Sequence, residues 1–150
     1  MTTLKRILLV EDDPKDIELT LAALDEYNLA NEIMVARDGV EALDYLYRRE
    51  NFAHRPEGNP VVILLDLKMP RMDGVEVLRQ LKADDQMHSI PIVILTSSRE
   101  SRDLEKCYQL GVNAYVVKPV RFSEFVEAVK QIGVFWALLN EPPPGSEKIR

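Results

Sequence analysis

"VVILLDLKMPRMDG" (residues 61–74) begins with five apolar residues and then places a carboxylate, Asp66, where the run stops. A run this short and this uniformly apolar reads as a strand covered on both faces, as in a parallel sheet between helices. Four more runs share its character: "RILLV" (6–10), "EIMVA" (32–36), "IPIVIL" (90–95) and "AYVV" (114–117). The segments between them carry helical spacing. Ile17, Leu21 and Leu24 form one stripe; Val40, Leu43 and Tyr47 a second; Val75, Leu78 and Leu81 a third; Leu104, Cys107 and Tyr108 a shorter fourth. A fifth follows the last strand, with Phe125, Val129, Ile132 and Trp136 on one face.

Five strands alternating with five helices predict an α/β fold with right-handed crossovers and a doubly wound parallel sheet. At this length the expected strand order is 2-1-3-4-5, flavodoxin-like, which places ligands beyond the carboxyl ends of the strands, near the switch between the first and third. Start signals agree: Asp13 before Pro14, Asp73 before the third helix, and Ser97 with Glu100 at capping-box spacing. Two segments exceed what the alternation needs, residues 47–60 with three Pro or Gly positions and the end of the chain.

The 150 residues suit one domain spanning 1–150, with 133–150 as a C-terminal helix extension and Pro-rich tail. A formal net charge of −6, with Lys and Arg dispersed, argues against a nucleic-acid partner. Cys107 is the only cysteine, which excludes an intrachain disulfide and suits a reducing compartment; it reads as a small buried hydrophobe. The N-terminus has four consecutive apolar residues before three acids, too few for a signal-peptide core or a membrane span, so no membrane partner and a cytoplasmic location are expected. His54 and His88 fall in loop-like stretches and read as surface residues.

The acids stand at strand ends. Glu11, Asp12 and Asp13 follow the first strand and Asp66 the third, and in the predicted order these strands are neighbours. Two carboxylates ~4 Å apart at an effective dielectric of ~20 repel by about 4 kcal/mol, so a positive group must join them. Oxygen ligands without histidine or cysteine favour a hard cation, and few carboxylates plus water suit Mg²⁺. Lys118 follows the fifth strand and Thr96 ends the fourth. Together these parts can place a phosphoryl group on a carboxylate: cation and Lys118 screen its charge, Thr96 donates a hydrogen bond, and Asp66 attacks in line.

With these pieces in view, the chain resembles the receiver domain of two-component response regulators over residues 5–132. "ILLVEDDP", "VVILLDLKMPRMDG", "IPIVILTSS" and "AYVVKP" stand in the family's order at compatible spacings. The resemblance implies that a histidine kinase passes phosphate to Asp66. It further implies that Asp12 coordinates Mg²⁺ directly, that Glu11 acts through water, and that Lys68 offers its backbone carbonyl. By the same resemblance Lys118 contacts the phosphoryl oxygen, the peptide bond before Pro119 is cis, Thr96 moves toward the phosphoryl group, and Tyr115 turns inward behind it. Lys68 and Ser98 then occupy positions that influence hydrolytic water, and Ser97, where many receivers have alanine, offers an extra hydrogen bond to phosphate. The family's members switch a protein-interaction surface and are not turnover enzymes.

The last helix continues as "VFWALLNEPPPG" (134–145). Val134, Phe135, Leu138 and Leu139 lie off the core stripe and predict a homodimer interface. The alternative is a tail folded back on its own domain. This ending and the 47–60 insertion resemble phytochrome-associated single-domain regulators, including cyanobacterial ones, which implies a light-regulated histidine kinase as donor. Two other functions compete. An aspartyl-phosphate phosphohydrolase of the haloacid dehalogenase type needs a second acid two residues after the nucleophile, where Lys68 stands. A flavodoxin-like cofactor binder needs a phosphate-cradling loop after the first strand, where "VEDDP" is acidic.

Overall fold

The computed structural model describes residues 4–26, 33–146 and 148–149. Its elements are β1 (Leu4–Lys5), β2 (Ile7–Val10), α1 (Pro14–Asp25), β3 (Ile33–Ala36), α2 (Gly39–Leu46), β4 (Val62–Leu65), α3 (Gly74–Lys82), β5 (Ile92–Thr96), α4 (Ser101–Gln109), β6 (Ala114–Val117), α5 (Phe122–Gly133) and β7 (Lys148–Ile149). Strands β3-β2-β4-β5-β6 form one parallel sheet, the predicted order 2-1-3-4-5. The expected strand at 32–36 appears as Ile33–Ala36; Glu32 lies outside the described residues.

The apolar runs have their cause in this sheet. Because successive side chains point to opposite faces, Leu8, Val10, Ile63, Leu65, Ile92 and Ile94 meet Leu43 and Leu46 of α2, Leu78 and Leu81 of α3 and Cys107 of α4. Ile7, Leu9, Val62, Leu64, Val93 and Leu95 meet Ile17 and Leu24 of α1 and Phe125, Val129 and Ile132 of α5. Strands β2, β4 and β5 are buried throughout, whereas the edge strand β6 is only half-buried. Fully burying one such Leu or Ile contributes ~1.5–3 kcal/mol, so the two faces dominate the stability.

Three local expectations change. Only Cys107 of the fourth stripe is buried; Leu104 and Tyr108 are exposed, because α4 rests on the sheet near its edge. Ser97 does not cap α4. The helix starts three residues later than a Ser97–Glu100 box requires, and Ser98 Oγ accepts from the Glu100 amide at 3.3 Å while donating to Asp103 Oδ2 at 2.5 Å. Beyond Gly133 the helix widens into a π turn over Val134–Leu139, closed by Asn140 N donating to Phe135 O at 2.7 Å. This rotates the stripe, so Ala137 is buried and Trp136 half-buried.

The two extra segments are tied to the domain. Arg55 Nε donates to the Tyr45 carbonyl at 2.7 Å and Nη1 to the Gly58 carbonyl at 3.0 Å, with the guanidinium 4.1 Å from the Tyr45 ring centroid. At the C-terminus, β7 pairs antiparallel with β1, and Asn59 N donates to Gly145 O at 3.0 Å. The end of the tail therefore folds back. Phe135, Leu138 and Leu139 stay exposed at 49%, 49% and 70%, and Val134 is half-buried.

Candidate functional site

The sheet's hydrogen bonding runs one residue past the strand ends and so delivers the acids. Glu11 N donates to Ala36 O at 2.9 Å, Asp66 N to Val10 O at 3.1 Å, and Lys118 N to Thr96 O at 2.7 Å. Each amide lies at the carboxyl rim of the sheet, so the side chains that follow converge there. Glu11, Asp12 and Asp66 offer carboxylate oxygens all within 4.8 Å of one another.

Lys118 enters from the far strand. Its ammonium donates to Glu11 Oε1 at 2.5 Å, Asp16 Oδ2 at 2.8 Å and Asp66 Oδ2 at 3.2 Å, and its side chain is only 9% exposed. An ammonium has three N–H donors, and all three are engaged. Burial works against the charge, but the hydrogen bonds the ammonium donates to Asp16 and Glu11 and the Asp66 charge prevail and hold the Lys118 pKa above its ordinary value. Burial pushes Glu11 up to about 7, Lys118 pulling it down and the Asp66 charge adding to the rise. Three acids, Glu11, Asp16 and Asp66, thus share one ammonium, and Asp12 lies beside Glu11 and Asp66. The uncompensated negative charge and all-oxygen donor set fit a hard divalent cation held by Glu11, Asp12 and Asp66.

The Asp66 backbone is set by close packing. Its Oδ1 accepts from the Leu67 amide at 2.7 Å, and Gly74 N donates to Leu67 O at 3.0 Å. A Cβ at position 74 would lie 2.1 Å from the Asp66 carbonyl oxygen, so only glycine fits. Asp73 caps α3 as expected, accepting from Glu76 N at 3.0 Å, and Asp13 caps α1, accepting from Lys15 N at 2.9 Å.

Other expected residues stand nearby without joining the acids. Thr96 is fully buried, and its Oγ1 accepts from Ser98 N at 3.3 Å. Ser97 is exposed. Lys68 turns its ammonium to Asp103 Oδ2, 3.9 Å away. The half-buried Tyr115 donates its hydroxyl to Ser98 O at 3.0 Å. The peptide bond before Pro119 is trans, correcting the expected cis isomer. Trans is the lower-energy isomer by ~0.5–1 kcal/mol, and Lys118 reaches its three carboxylates with the bond in that form.

Two residues escaped the sequence reading, Asp16 and Asp103. Each is an acid in a helix's first turn, where acids are common for dipole reasons, so neither stood out. The partner of Asp16 lies 102 residues away in the chain.

Comparison with known proteins agrees with this geometry. The family described as response regulator receiver domain matches residues 7–130. Response regulator Rcp1 of Synechocystis sp. is 36% identical over 132 residues, covering 88% of each chain. Its Mn(2+)-bound form superposes with a TM-score of 0.86 at 34% identity, covering 93% of this chain and 99% of that one. The phosphorylated cyanobacterial phytochrome response regulator RcpA matches with a TM-score of 0.87 at 38% identity, over 93% of this chain and 99% of that one. The bacteriophytochrome response regulator RtBRR is 62% identical with a TM-score of 0.74, over 95% of this chain and 86% of that one.

Proposed function

This chain belongs to the response regulator receiver domain family, and from that premise we propose that Asp66 is its phosphoacceptor, charged by a histidine kinase. The observation that carries the reading is the buried Lys118 ammonium hydrogen-bonded to Asp66 beside the Glu11–Asp12–Asp66 cluster. Asp66 attacks phosphorus, a new O–P bond forms, and the donor's P–N bond breaks, its electron pair leaving with the histidine. Lys118 then donates to a phosphoryl oxygen. Mg²⁺ is the proposed cofactor, with Asp12, Asp66 and the Lys68 carbonyl as ligands and Glu11 acting through water; when bound it offsets negative charge on the acids and the phosphoryl group.

Thr96, Ser97 and Tyr115 are the proposed switch residues. Tyr115 and Thr96 both bond Ser98, so a shift of Thr96 toward a phosphoryl group alters the loop that Tyr115 holds. The chain acts as a phosphoacceptor with self-catalysed phosphotransfer and dephosphorylation, not as a turnover enzyme. The phosphohydrolase reading is disfavoured because Lys68, paired with Asp103, stands where the second acid is needed. Similarity to RcpA and RtBRR supports a phytochrome kinase as donor. The exposed Phe135, Leu138 and Leu139, with Val134, support a homodimer through the α5 extension.

The test is intact-mass spectrometry after incubation with Mg²⁺ and acetyl phosphate. One added phosphate that disappears in Asp66→Asn supports the reading, and undiminished labelling of Asp66→Asn removes it.

A further inference from the structure

Lys118 is the only positive group hydrogen-bonded to Asp66 among the described residues, and its three donors are divided among three acids of unequal fate. Asp66 is consumed by the reaction, since the attacking carboxylate becomes part of an acyl phosphate. Glu11 is shared with the Glu11–Asp12–Asp66 cluster. Asp16 alone belongs to neither, so the reaction leaves its bond to Lys118 in place. From this arrangement we infer that Asp16 is a positioning residue, which anchors Lys118 so that its third N–H faces the phosphoryl group forming on Asp66. The inference rests on the reading of Asp66 as phosphoacceptor.

The geometry gives Asp16 the means. It rides on α1, a 12-residue helix fastened to the sheet by Ile17 and Leu24, so its carboxylate is held by a rigid element. Its carbonyl accepts from Thr20 Oγ1 at 2.7 Å, one helical turn on. The Asp16 bond to Lys118, at 2.8 Å, is shorter than the 3.2 Å bond to Asp66. The longest of the three bonds is therefore the one that the reaction replaces. With acetyl phosphate, Asp66 attacks phosphorus, the bridging P–O bond breaks, and acetate leaves with the electron pair. The third Lys118 N–H then passes from Asp66 Oδ2 to a phosphoryl oxygen, while Asp16 keeps the ammonium from swinging away.

The experiment follows phosphorylation of the full chain by acetyl phosphate at saturating Mg²⁺, with intact-mass spectrometry. Asp16→Ala is expected to slow labelling about tenfold, and Asp16→Asn, which keeps an acceptor oxygen in place, recovers part of the rate. Mg²⁺ affinity, measured by calorimetry without phosphodonor, stays within twofold of the parent. In a Lys118→Arg background, which keeps the positive charge but not the ammonium geometry, Asp16→Ala has a different fold-effect, because the two residues act as a pair. The inference is overturned if Asp16→Ala labels at the parental rate or faster, if its fold-effect is the same in both backgrounds, or if Mg²⁺ affinity falls in step with the rate. Should Asp66→Asn still be labelled, the phosphoacceptor reading itself fails; should it be unlabelled while Asp16→Ala is normal, only the role of Asp16 fails.

Discussion

Gly74 shows how much of this site depends on a missing side chain. A Cβ there would lie 2.1 Å from the Asp66 carbonyl oxygen and 2.9 Å from Leu67 Cα, and backbone cannot yield as a flexible side chain can. Gly74→Ala is expected to destabilise by about 1–3 kcal/mol, as overpacking does, and to lower Asp66 labelling as well, both readable from urea melts and mass spectrometry. Glu11 makes a second prediction. Its folded pKa of about 7, against an ordinary 4.5, means the folded state binds the proton more tightly than the unfolded chain. Its contribution to stability is fully present below 4.5 and is lost as pH rises through about 7. In metal-free buffer the melting temperature is expected to fall across that window, and Glu11→Gln is expected to remove that part of the fall. Millimolar Mg²⁺ at pH 7.5 raises the parent's melting temperature by binding the folded state alone, and raises that of Glu11→Gln less. Glu76 works in a separate range: Arg79 holds it down to about 2, so its contribution is present above 4.5 and is lost as pH falls through about 2.

Among the five α-helices, α4 is the one with the fewest buried residues. Cys107 is its one buried residue, burial holding that thiol up to about 11, while Leu104 and Tyr108 face outward. Its N-terminus is fastened by a polar junction instead. Ser98 donates to Asp103, accepts from Glu100 N and Tyr115, and bonds Thr96 through its amide, so one residue joins helix, loop and edge strand. Asp103→Ala leaves the Ser98 hydroxyl without its acceptor and is expected to cost about 1 kcal/mol, in the range of a lost helix cap, with faster hydrogen exchange at residues 98–104. Lys68→Ala removes only an ion pair that is 63% exposed on the lysine side and is expected to change stability by less than ~0.5 kcal/mol. Equal effects of the two substitutions would show that the junction does not depend on the serine bond.

At the scale of the molecule, the chain ends in two unlike ways. Residues past Asn140 return to the domain, pairing β7 with β1 and Gly145 with Asn59. The π turn just before them leaves Phe135, Leu138 and Leu139 exposed together. If a second copy covers that surface, Leu138→Glu with Leu139→Glu is expected to shift sedimentation from dimer to monomer while leaving the melting temperature of the monomer nearly unchanged. Both positions are exposed, and surface substitutions of this kind stay within about 0.5 kcal/mol. A monomer in the parent chain at micromolar concentration, with and without phosphodonor, would exclude the dimer. Among the described residues no helix is long and apolar enough to cross a membrane.

The strand order and the convergence of Glu11, Asp12, Asp66 and Lys118 were legible in the residues themselves, because strands buried on both faces leave an unbroken apolar run and a charge can follow only where the run ends. Tertiary structure alone decided which acids Lys118 holds. Asp16 and Asp103 look like any first-turn acid, and what distinguishes them is a partner brought close by folding, across 102 residues in the first case. The trans bond before Pro119 and the π turn after Gly133 have the same origin. Periodicity reports which face of an element meets the core; the small energies that select an isomer, a helix register or the three acids that one ammonium bonds are set by neighbours that no local pattern contains.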